Sequence, residues 1–190
     1  IKSINKARKP LEEAIAIDPK YSTAYCLLAF THMMHVFFGS SKSPKESLAK
    51  AFELTKKSIS FDPSCPLPYV TFSWCYLFAR QHAKAIAACK RAVDLDPNFS
   101  MGYAFLALVL CYAGEPDEAL VSAERSIRLN PKPPSFFYMY LGMAYYQKDM
   151  YEKAVSALKK ALSLQPNAIN ILLRLASCYS SMGREDEARD

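Results

Sequence analysis

The side chains best equipped for chemistry in this chain are its three histidines, its six cysteines and its acidic pairs. His32-Met33-Met34-His35 sets two imidazoles three residues apart on one side of a helix beside thioether sulfurs, a donor set that suits a soft metal. His82 follows Gln81 in a turn, with neither a nucleophile nor a carboxylate arranged around it for proton transfer. Cys26, Cys65, Cys75, Cys89, Cys111 and Cys178 form no CxxC pair, and five of them lie within apolar helical patterns. They read as small core residues of a reducing compartment, which implies a cytoplasmic setting, rather than as disulfides or metal ligands. Glu12-Glu13 and Asp117-Glu118 fall on helix surfaces, where solvated acids are the default. No Gly-rich phosphate loop, HExxH or nucleophile elbow occurs. The expectation is a chain with no catalytic residues, no metal and no cofactor.

The elements that carry these residues are helices. The 190 residues include 24 basic and 18 acidic side chains, a formal net charge of +6, and 51% are hydrophobic, which excludes intrinsic disorder. Only 5 Gly stand beside 12 Pro, a balance that suits many helices joined by sharp turns. The uncharged stretches 22–41 and 101–114 are interrupted by polar residues or too short for the ~20 residues a bilayer demands, so no membrane span is expected. The chain opens at Ile1 and ends at Asp190 within a helical pattern, which reads as part of a longer protein.

An internal repeat organises the whole sequence. Asp18-Pro19, Asp62-Pro63, Asp96-Pro97, Asn130-Pro131 and Gln165-Pro166 place their prolines 44, 34, 34 and 35 residues apart. Twelve residues before each proline stands Ala7, Ala51, Ala85, Ala119 or Ala154. Five before, the residue is small (Ala14, Ser58, Ala92, Ser126, Ala161), and four before it is aliphatic (Ile15, Ile59, Val93, Ile127, Leu162). Downstream come Tyr25, Tyr69, Tyr103, Tyr138 and Leu172, then the small residues Ala29, Ser73, Ala107, Gly142 and Ala176. Small residues at helical spacing from large ones let two helices approach closely while the large side chains interlock. Each unit is therefore helix, short turn, helix and a proline-bearing turn.

In these positions the chain resembles the tetratricopeptide repeat family over nearly its whole length. The resemblance implies an all-α fold, a right-handed superhelical solenoid of antiparallel helix pairs. It divides a single array over 1–190 into the second helix of a preceding repeat (1–21), repeats at 22–65, 66–99, 100–134 and 135–168, and a truncated repeat at 169–190. Pro10 is costly inside a helix, so the first helix is expected to start near Lys9. His32 stands where Tyr76, Tyr145 and Tyr179 stand in other repeats, which makes it structural rather than a metal ligand. The first full repeat carries ten surplus residues, His35 to Pro44, followed by Glu46-Ser47-Leu48. That insert, Gln81-His82-Ala83-Lys84-Ala85-Ile86, Ala113-Gly114-Glu115-Pro116-Asp117-Glu118-Ala119 and Tyr140-Leu141-Gly142-Met143-Ala144-Tyr145-Tyr146 also resemble the C-terminal repeats of bacterial multidomain adenylate/guanylate cyclase-type proteins. In those proteins a catalytic domain, where present, precedes the repeats, and none is present here.

Charge is sorted by helix. The first helices of the four full repeats contain no Asp, Glu, Lys or Arg, while the second helices and turns carry nearly all of them. In the family the first helices line the concave surface, which implies an uncharged groove. On a helical wheel Tyr25, Leu28, Ala29 and His32 share the face that packs on the partner helix. About 120° away lie Cys26, Phe30 and Met33, with the equivalents Val70, Trp74 and Leu77, then Ala104, Leu108 and Cys111, then Met139, Met143 and Tyr146. With Phe78, this stripe is the expected partner-binding groove. The plain alternative is that it packs between neighbouring first helices and binds nothing.

A terminal carboxylate would need cationic or amide partners, and only Asn170 and Arg174 could serve, so an acidic C-terminal peptide is not the expected ligand. A protein or peptide with apolar or aromatic anchors, or a second copy forming a homodimer, fits better, while an apolar small ligand lacks converging polar groups to orient it. The insert reads as an N-cap at Ser43, Pro44 in the first turn and Glu46 closing a capping box. Val36, Phe37 and Phe38 are then left at the groove edge, either to cover it or to pack on their own repeat. Lys56-Lys57, Lys90-Arg91, Arg125 and Lys159-Lys160 form a basic ladder near the ends of the second helices, where cations complement the helix dipole. No aromatic residues interleave with the ladder, so nucleic acid is not an expected partner. The expected function is a non-catalytic interaction scaffold within a larger bacterial signalling protein.

Overall fold

The computed structural model describes residues 2–189, which form eleven α-helices and, among those residues, no strand. They group into two compact units, divided between Pro97 and Asn98. The first holds α1 (Lys2–Ile17), α2 (Ser22–Phe37), α3 (Pro44–Phe61), α4 (Leu67–Phe78) and α5 (His82–Leu95). The second holds α6 (Ser100–Ala113), α7 (Pro116–Arg128), α8 (Ser135–Gln147), α9 (Tyr151–Leu164), α10 (Ile169–Ser181) and α11 (Glu185–Arg189). In the first unit α2 pairs with α3 and α4 with α5; in the second α6 pairs with α7 and α8 with α9. No helix of the described residues is long and apolar enough to cross a membrane.

The repeated small residues are where paired helices touch. Ala51, Ala85, Ala119 and Ala154 are wholly buried, as are Ser58, Ala92, Ser126 and Ala161 five residues before each proline. Opposite them stand Ala29, Ser73 and Ala107, also fully buried. At Gly142 the approach leaves no room for a side chain: a Cβ built there would lie 2.7 Å from Leu158 Cγ and 3.3 Å from the Ala154 carbonyl oxygen.

The Asp-Pro motif is a turn lock with two ties. The acid or amide oxygen accepts the backbone N–H two residues on, from Lys20 to Asp18 at 2.9 Å, from Ser64 to Asp62 at 3.0 Å and from Lys132 to Asn130 at 3.1 Å. The tyrosine six residues beyond the proline then donates back to the proline carbonyl, Tyr25 to Pro19 at 3.2 Å and Tyr69 to Pro63 at 3.0 Å. The reverse turn inside a pair needs one left-handed residue. Gly114 and Gly183 supply it freely, with φ of 80° and 71°, whereas Arg80 and Asp149 hold φ of 57° and 56° with side chains attached.

Two local expectations are corrected. α1 does not begin near Lys9 but runs from Lys2 to Ile17 with Pro10 inside it. Pro10 is exposed, so water can satisfy the carbonyl that its missing N–H leaves unbonded. At α3, Ser43 is the N-cap and Pro44 opens the helix, but no side-chain capping bond forms, so the Ser43/Glu46 capping box is absent. The chain is instead held before the helix by Ser41 Oγ and Ser47 Oγ at 2.8 Å and by a backbone bond from Ser47 N to Ser43 O at 3.0 Å.

Candidate functional site

The apolar stripe of the first helices is mostly a seam. Cys26, Met33, Val70, Trp74, Leu108, Cys111, Met139 and Met143 are buried, and so is Ala104. The cause is lateral packing: α2 lies against α4 in the first unit, and α6 against α8 and α8 against α10 in the second. These contacts close over side chains that a single-helix wheel leaves facing outward. Phe30, Leu77 and Tyr146 are half-buried, and Phe78 is exposed. The open apolar surface expected from the sequence is thus reduced to the edges of the seam.

In the first unit those edges converge on one aromatic cluster. Trp74, only 4% exposed, is its centre. Its ring lies 5.2 Å from Phe30, 5.6 Å from Phe37 and 6.1 Å from Phe78, and Phe38 stacks edge-on against Phe37 at 5.1 Å. Such offset and tilted pairs hold rings in defined orientations. Phe37, Phe38 and Phe78 remain 41%, 49% and 37% exposed, a large share for phenylalanine.

The insert positions two of the three. α2 is prolonged to Phe37, with Phe38 at its C-cap, and Val36 is half-buried on the same turn. The His35 carbonyl then accepts Ser40 N at 2.9 Å and Ser41 N at 3.1 Å, and His35 Nδ1 and Ser40 Oγ lie 2.9 Å apart. This knot turns the chain away and leaves Phe37 resting on Trp74 of the following repeat as well as on Phe38 of its own. His32, one turn earlier, is half-buried with Nε2 3.5 Å from Arg8 Nη2. Burial first, then the charges of Arg8, His35 and Lys50, favour its neutral form.

The second unit carries a cavity of about 240 Å³ at the meeting of α6, α8 and α10. Cys111, Met143 and Tyr146 of the stripe line it, together with Tyr112, Gln147, Arg174 and Ser177. Gln147 Nε2 donates to the Cys111 carbonyl at 2.8 Å, and the hydroxyls of Tyr146 and Ser181 lie 3.1 Å apart. Asn170 does not face a ligand: its Nδ2 donates to Met139 Sδ at 3.1 Å. Single-helix reasoning missed this cavity because its residues come from three repeats, and the exposed Tyr112 falls outside the stripe altogether.

The thiols are core groups. Burial pushes Cys26, Cys75, Cys89 and Cys111 up to about 12, and raises Cys178 as well. Cys65 alone is half-exposed, and none of the six is in a disulfide. Among the described residues, no group of three or more His, Cys, Asp or Glu is placed to hold a metal ion.

The basic ladder requires a correction. Tyrosines of the first helices do lie beneath it: Lys57 stands 6.0 Å from the Tyr25 ring, Arg91 6.0 Å from Tyr69, Arg125 4.3 Å from Tyr103 and Lys159 5.7 Å from Tyr179. The pairing joins different helices, so no run of adjacent residues announces it. Each ring is covered by one of the protein's own cations, which makes the ladder an internal fastening.

Comparison with known proteins places tetratricopeptide repeat models on residues 68–99 and 145–190. No curated protein matches the chain. Among solved structures, the chain is similar to one in the APC/C heterotetramer Cut9–Hcn1 (TM-score 0.81, 19% identity), with 98% of this chain and 35% of that one covered. It thus spans about a third of that protein's length. It is also similar to a thermophilic tetratricopeptide protein of Thermus thermophilus, with TM-score 0.74, 21% identity, and 93% and 91% of the two chains covered. A third similar structure is a monomeric mutant of IFIT1 bound to m7Gppp-AAAA, with TM-score 0.84, 16% identity, and 100% and 45% covered. At these identities the likeness is one of fold: the chain contains tetratricopeptide repeats in an all-α array of helix pairs.

Proposed function

We propose that this chain is a non-catalytic protein-binding module whose partner presents apolar or aromatic anchors to the Phe37, Phe38 and Phe78 edge of the first unit. Tetratricopeptide repeat proteins generally mediate protein–protein interaction, and Cut9 is solved in a complex with Hcn1. The observation that carries the reading is the cluster around Trp74: five linked rings, three of them over a third exposed. Aromatic groups held rigid by packing beneath them lose little conformational entropy on binding, which is the usual make-up of an interface hot spot. Phe30 and Leu77 extend the surface, Tyr146 offers a smaller edge in the second unit, and the buried members of the stripe support these from below.

A homodimer that covers the same rings is the second reading, favoured by the size of the exposed aromatic edge. Nucleic acid is a weaker one, since the tyrosines under the basic ladder are already covered. A single array over 1–190 rests on the repeat spacing, a cytoplasmic setting on the six unpaired cysteines, and attachment to a bacterial cyclase-type signalling protein on the residues quoted for that resemblance.

Light scattering behind size exclusion, over a hundredfold concentration range, on the wild type and on Phe37→Ser/Phe38→Ser separates these readings. A dimer that the variant turns monomeric assigns the edge to self-association. A monomer throughout calls for selection from a random 12-residue peptide library, counter-selected on the variant. Aromatic-bearing peptides that bind only the wild type support the proposal, and a selection that yields no such peptides refutes it.

A further inference from the structure

The cavity of the second unit combines features that the protein-binding reading does not explain. Arg174 of α10 is half-buried on its wall, and among the described residues it makes no hydrogen bond or ion pair. No carboxylate lines the cavity among those residues either. Its head lies close enough to Cys111 and Cys178 for its charge to act on both thiols, yet both are held protonated by burial and cannot serve as counter-ions. Drawing a guanidinium partly out of water without an acid is unfavourable, and an arriving anion relieves it.

The neighbours of Arg174 restrict what that anion is. Tyr112, Met143 and Tyr146 give apolar wall, and Gln147 and Ser177 give neutral polar rim. A volume of about 240 Å³ suits one side chain better than a whole small-molecule ligand. The cavity is lined from three successive first helices, Tyr112 on α6, Tyr146 on α8 and Arg174 on α10, so a chain laid across these helices meets Arg174.

We infer that this cavity receives the carboxylate side chain of an aspartate or glutamate, next to an apolar residue, within a bound polypeptide. Arg174 supplies the charge and the second N–H of Gln147 Nε2 a neutral hydrogen bond, while the Ser177 hydroxyl is already donated to the Leu173 carbonyl at 2.9 Å. The inference rests on the reading that the chain binds polypeptides, but on a different unit and different residues from the aromatic edge.

Three probes test it in the intact chain: acetyl-Phe-Glu-amide, acetyl-Phe-Gln-amide and acetyl-Gln-Phe with a free terminal carboxylate. Binding is followed by NMR on the Arg174 Nε–H and Gln147 side-chain amide signals. The Glu probe is expected to bind about tenfold tighter than the Gln probe, as a charge-assisted pair should. Arg174→Gln should erase that preference, Arg174→Lys should keep part of it, and Phe37→Ser/Phe38→Ser should leave it unchanged. Equal binding of the Glu and Gln probes overturns the inference and leaves the aromatic-edge reading standing. So does a preference that survives Arg174→Gln. Tighter binding of the terminal carboxylate overturns the side-chain assignment, and no binding of any probe overturns the site.

Discussion

Gly142→Ala adds one methyl group where α8 lies tight against α9, and its effect should depend chiefly on residue 158. The new Cβ would stand 2.7 Å from Leu158 Cγ and 2.9 Å from Cδ2, at least 0.5 Å inside the 3.4 Å at which ordinary contact begins. Leu158 is 1% exposed and only the cavity it lines gives it room to shift, so the substitution crowds the α8–α9 seam at a cost of about 1–3 kcal/mol. Replacing glycine in a helix returns about 1 kcal/mol through propensity. In the wild type the net should lie between neutral and about 2 kcal/mol destabilising. Leu158→Ala alone should cost about 2–5 kcal/mol. In that background the clash with residue 158 is gone and only the 3.3 Å approach to the Ala154 carbonyl remains, so Gly142→Ala should become stabilising by up to about 1 kcal/mol. Urea unfolding followed by circular dichroism on the four proteins gives the coupling, expected at about 1–3 kcal/mol. Effects of Gly142→Ala that agree within about 0.5 kcal/mol in the two backgrounds would refute the close-approach argument.

Other outcomes follow from the turns, the half-buried His32 and the thiols. Arg80→Gly should stabilise by roughly 0.5–1 kcal/mol, because it relieves a left-handed residue at φ 57° while it adds unfolded-chain entropy; thermal melts that show a loss would contradict this. His32 should titrate in NMR below its ordinary 6.5, since burial and neighbouring cations oppose protonation. The unfolded chain then binds the proton more readily, so this contribution to stability is complete above pH 6.5 and is lost as pH falls through the lower folded value. His32→Tyr should flatten that part of the stability–pH curve. With a thiol reagent on the native protein, Cys65 should react first and the other five only as denaturant opens the core. A second fast thiol would show that the seam is more open than described.

The helix pairs were legible because their signals are local. Proline fixes a turn, and a small residue at fixed spacing marks a contact, whatever lies elsewhere in the chain. The state of the stripe was not legible. Trp74 and Met33 look outward on a single-helix wheel, and only the lateral contact of α2 with α4 shows them to be core. The same limit applies to Arg125 over Tyr103, which meet across a helix pair, and to the cavity beside Arg174, assembled from three repeats. Pro10 misled for a different reason: its cost is real, but an exposed position lets solvent meet it.

The turn locks also bear on how such a chain can grow. Tyr25 reaches Pro19 and Tyr69 reaches Pro63 across the same six residues, and Ser22 Oγ meets the Ser58 carbonyl 36 residues on. Ties of this range keep contact order low, so folding can begin within any one pair without waiting for distant segments. Copying one period shifts every tie by the same number of residues and leaves each donor facing its own acceptor. The array can therefore lengthen by duplication, and a surface loop such as that at Phe38–Ser43 can be inserted into one copy, without new fastenings elsewhere.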